Sequence, residues 1–195
     1  QETTELVKKY LVETRKIDAE IITQLIAHQK IKQDKDNCAC FLGYDEPQNL
    51  AYVFRRSINS RKIFKGEVRC SCKEDSFQII IKNNQILQEE NLKQKINTLY
   101  IVEGAIDACA IATLLKIKNK LIEPLQIITT AGHPNRFLKN RIEKINPQKI
   151  IIATDMDIQG RNFAQIIKTM IGNRAFSIPT YLAKDPADLL QKIKE

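Results

Sequence analysis

The chain is predicted to be an α/β protein, a parallel sheet flanked by helices and preceded by a smaller α+β subdomain. From residue 98 onward, short apolar runs alternate with segments of helical period, the rhythm of strand-helix repeats. One of those runs, Ile150-Ile151-Ile152, is continuously apolar, as a strand buried on both faces must be. Residues 38–57 instead read as two strands around a Pro47-containing turn, an antiparallel hairpin outside the parallel sheet. At 195 residues and 43% hydrophobic content the chain has enough material for both units, divided here as 1–95 and 96–195.

Taken in order, Thr3 to Arg15 carries Leu6, Tyr10 and Leu11 at helical spacing. A second helix follows Asp18 as its cap, with Ile21, Ile22, Leu25 and Ile26 as its buried stripe. Strands are expected at Cys38 to Tyr44, Leu50 to Ser57 and Ser76 to Ile81, with a turn at Asp45 to Asn49. Asn83 to Asn97, rich in Gln, Asn, Glu and Lys, reads as a linker. Strand Thr98 to Val102 then leads to helix Ala105 to Lys116, strand Leu125 to Thr130 to helix Asn135 to Ile145, and strand Lys149 to Thr154 to helix Gln159 to Ile171. A strand near Ala175 to Leu182 and a helix at Pro186 to Lys194 close the chain.

The formal net charge of +8 favours a polyanionic partner. Basic residues concentrate at Arg55, Arg56, Arg61, Lys62, Lys65, Arg69 and Lys73, against the single acid Glu67, on the small sheet and the loop after it. Nucleic-acid or nucleotide contact and a solvated surface face both account for such a run. No apolar run approaches the roughly 18 residues that span a bilayer, and the amino end is unlike a signal peptide, so a cytoplasmic location without a membrane partner is expected. Gln1 in place of an initiating Met points to a piece of a longer protein.

The chemistry gathers where the predicted parallel strands end. Asp155 and Asp157 follow the Ile150 run and, at i and i+2, point the same way in an extended segment, so both carboxylates meet one hard cation or cation pair. Glu103 ends the Thr98 strand, with Asp107 one helical turn further, and Asp185 follows the last strand. In open parallel sheets ligands bind at the carboxyl ends of the strands. Five carboxylates in one crevice repel one another unless divalent cations neutralise them. Helix capping explains any one of these acids but poorly explains all five. Arg161, at a helix start beside the pair, holds a phosphate or is an exposed helix residue. His133, after Gly132, contacts phosphate or is an ordinary loop histidine. Cys38, Cys40, Cys70 and Cys72 form two CxC pairs that would bind zinc if their strands were neighbours, although CxC is tighter than the usual zinc spacing. Cys109 reads as core.

Glu103-Gly104-Ala105-Ile106-Asp107 after one strand, and Asp155-Met156-Asp157 with Gly160-Arg161 after another, resemble the Toprim domain of bacterial-type primases, topoisomerases and some nucleases. Lys184-Asp185-Pro186 is similar to a segment of the primase catalytic core. Phe41 to Asp45, Phe54-Arg55-Arg56 and Lys62 to Gly66 resemble the subdomain that precedes Toprim in primases and in many plasmid and mobile-element proteins. The resemblance implies a DNA primase-type nucleotidyltransferase that makes short primers from nucleoside triphosphates on single-stranded DNA, with Mg²⁺ or Mn²⁺. It implies Glu103, Asp155 and Asp157 as catalytic groups, Glu103 serving as metal ligand or general acid-base, and Asp107, Asp185 and Asp188 as further metal ligands. Template or triphosphate contacts fall to Arg55, Arg56, Lys62, Lys65 and Lys184, and the expected protein partners are a replicative helicase or a relaxase. Two departures matter: Ala187 stands where primases carry a second acid, so the metal site is one ligand poorer or Asp188 substitutes, and Arg55-Arg56-Ser57 replaces a Gly-Gly-Arg turn. A Toprim nuclease and a non-catalytic single-stranded-DNA-binding partner of a relaxase or replicase are the alternative readings.

Overall fold

The computed structural model describes residues 4–46, 49–58, 63–88 and 95–194. Helix α1 (Glu5–Lys9) runs on into a wider π-turn at Tyr10–Thr14 and is followed by α2 (Ala19–Ala27). Asp18 caps α2 by accepting the Glu20 and Ile21 amides, and Val7, Leu11, Ile21, Ile22 and Leu25 form a wholly buried stripe. Strands β1 (Ile31–Gln33), β2 (Cys38–Glu46), β3 (Asn49–Ser57) and β4 (Lys65–Glu67) make a four-stranded antiparallel sheet in sequential order. The pairing of β2 with β3 matches the expected hairpin, while Pro47 and Gln48 lie outside the described residues. The three-residue edge strands β1 and β4 were not legible in the sequence, since three residues carry too little pattern to show a period.

The second sheet has six strands in the order β10-β9-β7-β8-β5-β6, from β5 (Gln78–Lys82), β6 (Gln85–Leu87), β7 (Thr98–Val102), β8 (Leu125–Thr129), β9 (Lys149–Ile152) and β10 (Phe176–Ser177). β10, β9, β7 and β8 are parallel, and β5 and β6 add antiparallel at the far edge. β5 and β6 thus join the second sheet although they lie before residue 95. The predicted linker contributes to that edge: Asn83 and Asn84 both adopt left-handed backbone (φ +49° and +61°), closing a two-residue hairpin that buries Ile86. The strand expected from Ala175 to Leu182 shortens to Phe176–Ser177, after which the chain turns toward the ends of the neighbouring strands.

Helices α3 (Ala105–Ile117) and α6 (Pro186–Lys194) cover one face of this sheet together with α2, and α4 (Arg136–Ile145) and α5 (Ile158–Ile171) cover the other. α3 is buried almost all round because it is pressed between the sheet, α2 and α6, and its small residues allow that close approach. Lys116 on α3 bonds Asp18 and Glu20 at 2.8 and 2.7 Å, and Thr113 accepts the Asp18 amide, so the amino-terminal helices are tied to the second sheet.

Candidate functional site

Strands β9, β7 and β8 are neighbours, and all three end on one side of the sheet. Glu103 leaves β7 and accepts the Asp155 amide at 2.9 Å. Gly160 is pressed so closely on the Asp155 backbone that a Cβ would collide with its carbonyl, so this turn admits glycine alone. Asp157 caps α5 through the Gly160 amide at 2.9 Å, and Asp185 accepts the Asp188 amide at 2.7 Å at the start of α6. Asp185 therefore both caps a helix and lines the crevice, whereas Asp157 caps α5 without joining the lining; the negative charge of both suits the helix amino termini.

Burial, then the neighbouring Glu103 and Asp185, pushes the Asp155 carboxyl up to about 6. Asp107, deeply buried on the first turn of α3, is pushed up to about 7 by burial, then Asp185 and Asp155, with the Ala187 amide 3.3 Å away opposing the shift. Glu103 is raised as well, chiefly by burial. The ammonium of Lys184 stands 3.8 Å from Asp155 and 3.9 Å from Asp157, and the Lys184 carbonyl accepts the Met156 amide at 2.6 Å. Hard oxygen donors crowded until they resist ionising, with one ammonium drawn between two of them, fit a divalent cation in kind. In this conformation no three His, Cys, Asp or Glu side chains among the described residues converge closely enough to share one ion.

Two expected site residues are engaged elsewhere. Asp188 accepts the Lys184 amide at 3.0 Å and pairs with Lys192 at 3.0 Å, contacts that hold its carboxyl below the usual range and make it part of the α6 cap. Ala187, where the acid is missing, has its methyl buried in the core. Arg161 donates to the Met156 carbonyl at 2.7 Å and so braces the Asp155-Asp157 loop.

Across a crevice of about 450 Å³ from the acids stands a basic wall of Arg15, Arg56 and Lys65. Strand parity selects its members. Arg56 pairs in register with Ala39 and Lys65, and Phe54 with Phe41, so Tyr52, Phe54 and Arg56 share the inward face. Arg55 points the other way, to Asp34 and Asp36, and is spent on that ion pair. Arg61 and Lys62 lie outside the described residues. Arg15 escaped the sequence reading. It follows the π-turn, its Nε is buried without a hydrogen-bond partner among the described residues, and nothing in its local pattern marks it. Tyr52 was legible in principle, since Tyr52, Phe54 and Arg56 sit at i, i+2 and i+4.

The two CxC pairs do not meet. Cys38 and Cys40 are buried on β2, whereas Cys70 and Cys72 are exposed beyond the opposite edge of β3, where the Cys72 amide bonds Ala51. Cys109 is core. His133 is exposed at the end of β8, its ring edge-on to Phe163 at 5.1 Å and its Nδ1 2.9 Å from the Pro134 carbonyl.

Residues 100–190 match a Toprim-like family model, and residues 9–79 match a family described as a protein of unknown function (DUF3991). No curated protein matches the chain. Among solved structures, the primase fragment of the bacteriophage T7 primase-helicase protein is similar at a TM-score of 0.63 and 14% identity, over 92% of this chain and 67% of that one. The DnaG primase catalytic domain bound to ssDNA gives 0.61 and 14%, over 96% and 67%. The E. coli primase catalytic core gives 0.59 and 15%, over 98% and 70%. At such identities the likeness is one of fold. Residues 100–190 are a Toprim-like domain, and with the antiparallel sheet before it the chain has the fold of a primase catalytic core.

Proposed function

We propose that this chain is the catalytic core of a DNA primase-type nucleotidyltransferase, making short primers on single-stranded DNA with Mg²⁺ or Mn²⁺. The observation that carries the reading is the two-walled crevice: acids at the ends of adjacent strands facing Arg15, Arg56 and Lys65 across a space of small-molecule size. Asp155, Asp157 and Glu103 would hold the divalent cation, with Asp107 and Asp185 beside them. When bound, that cation activates the 3′ oxygen for in-line attack and offsets charge on the departing pyrophosphate. Glu103, by accepting the Asp155 amide, keeps the strand end in place, and it either shares the cation or moves the 3′ proton. The guanidinium groups of Arg15 and Arg56 and the Lys65 ammonium suit the triphosphate or template backbone. A replicative helicase or relaxase is the proposed partner, and a plasmid or mobile-element setting rests on the resemblance of the upstream layout alone.

A second reading, a single-strand-binding module without catalysis, is favoured by Ala187 being core and Asp188 a cap, which leaves the acid wall short. One experiment separates the readings: the chain is incubated with single-stranded DNA, labelled nucleoside triphosphates and Mg²⁺ or Mn²⁺, beside Asp155→Ala. New oligonucleotides that vanish in the variant support primer synthesis, and a shortened template supports the nuclease alternative. Intact DNA binding with neither product sinks both enzymatic readings.

A further inference from the structure

We propose that Lys73 is a positioning residue that, from behind the crevice lining, ties together two lining segments, at Glu67 and Ala131, and sets the distance between the two walls; this rests on the crevice taking a metal-bound nucleoside triphosphate. Lys73 opens the short turn Lys73–Asp75, on the segment that leads from the antiparallel sheet into β5 of the second sheet. Its ammonium donates to the Ala131 carbonyl at 2.9 Å and lies 3.4 Å from Glu67. The other oxygen of Glu67 accepts the Tyr52 hydroxyl at 3.1 Å. Tyr52 and Glu67 belong to the basic wall, on the strands that carry Arg56 and Lys65, while Ala131 and Gly132 follow β8 beside the acids. One ammonium therefore joins the phosphate-binding side to the metal-binding side.

The acceptor is not relaxed. Ala131 has φ +52° and Gly132 φ +90°, and a left-handed alanine costs about 1 kcal/mol, so this loop needs outside contacts to keep its shape. A Cβ on Gly132 would stand 3.4 Å from the Lys73 ammonium, which shows how closely the two segments meet. An ordinary surface ion pair with Glu67 contributes roughly 0–1 kcal/mol and would not require a carbonyl of the other sheet. The fold itself does not depend on the contact. Ser76 donates to the Thr129 carbonyl at 3.1 Å, Arg141 donates to the Ser76 carbonyl at 2.8 Å, and β5 pairs with β8, so the segment stays anchored without Lys73.

The test uses the whole chain as wild type, Lys73→Met and Lys73→Arg, with amide exchange, Mn²⁺ alone and Mn²⁺-GTP as readouts. In Lys73→Met the amides of 65–67 and 131–133 exchange faster, Mn²⁺ affinity and melting temperature stay near wild type, and GTP affinity falls about tenfold, the size of one lost charge-assisted hydrogen bond. Lys73→Arg restores exchange and affinity. Unchanged exchange in both segments overturns the proposal, as does a parallel loss of melting temperature, Mn²⁺ and GTP binding, which marks Lys73 as merely structural. If wild type binds no GTP, the nucleotidyltransferase reading falls, while the exchange comparison still decides whether Lys73 ties the walls.

Discussion

The acid wall and the basic wall are built by different rules. The acids end adjacent parallel strands or begin the helices that follow, so chain connectivity alone brings Glu103, Asp155 and Asp157 to one place. The basic residues come from a π-turn, the inward face of an antiparallel strand and a three-residue edge strand, elements far apart in sequence. The acid wall is electrostatically strained, burial first and then mutual repulsion raising the Asp107 and Asp155 carboxyls, whereas the outward-facing Arg55 is already satisfied by Asp34 and Asp36. The difference teaches that the acid wall is defined by charge crowded at strand ends and the basic wall by which cations are left unpaired by neighbouring acids among the described residues.

The largest expected effect lies on the acid wall. On the proposed function, Asp155→Ala lowers primer synthesis at least about 100-fold while retaining DNA binding, because a group proposed to hold the cation is removed and the opposite wall is left whole. Gel analysis of labelled products beside a DNA-binding titration checks both halves, and loss of DNA binding in that variant would erase the division between the walls.

Strain on the acid wall gives the next effect. Burial, then Asp185 and Asp155, pushes Asp107 up to about 7 in the folded chain against 3.8 ordinarily, so the folded state holds its proton more tightly. Its contribution to stability is present below about pH 4 and is lost as pH rises through 7; Asp155, pushed up to about 6, acts with the same sign. Asp107→Asn therefore raises the stability of the metal-free protein at pH 8 by about 2 kcal/mol and flattens the decline from pH 4 to 8, as read by urea unfolding. An equally steep decline in the variant would move the strain to other groups.

On the basic wall, Arg56→Ala weakens nucleotide binding about tenfold. Its sequence neighbour behaves oppositely: Arg55→Ala leaves nucleotide binding unchanged and costs about 1 kcal/mol of stability by stranding Asp34 and Asp36. Titration and unfolding of the two variants side by side test the parity argument, and equal losses of binding would break it. The smallest effect belongs to Asp188. Asp188→Asn leaves Mn²⁺ affinity at the wild-type level in a calorimetric titration, and a clear loss would return this residue to the metal site.

Arg55 and Arg56 show where sequence reading stops. Both belong to one basic run, and composition treats them alike; their roles separate only when the pairing register of β2, β3 and β4 assigns each a face. Ala187 and Asp188 show it again. Their order in the chain leaves open which one faces the crevice, and the packing of α6 against α3 answers by burying Ala187 and turning Asp188 to Lys192. Asn83 and Asn84 look like linker because a two-residue turn has no period to detect, yet their left-handed backbone returns the chain as β6.

By itself the sequence determined the alternation of buried strands and helices, the parallel sheet, and the strand-end placement of Glu103, Asp155 and Asp157. These follow from local periodicity and from the rule that parallel strands joined by helices all end on one side. Tertiary structure alone decided that Arg15 joins the basic wall, that Arg55 leaves it, that the two CxC pairs stay apart, and that Lys73 reaches Ala131. Each of these depends on the register of a strand or on contact between residues distant in the chain, and no local pattern encodes the direction a side chain takes once two sheets are packed together.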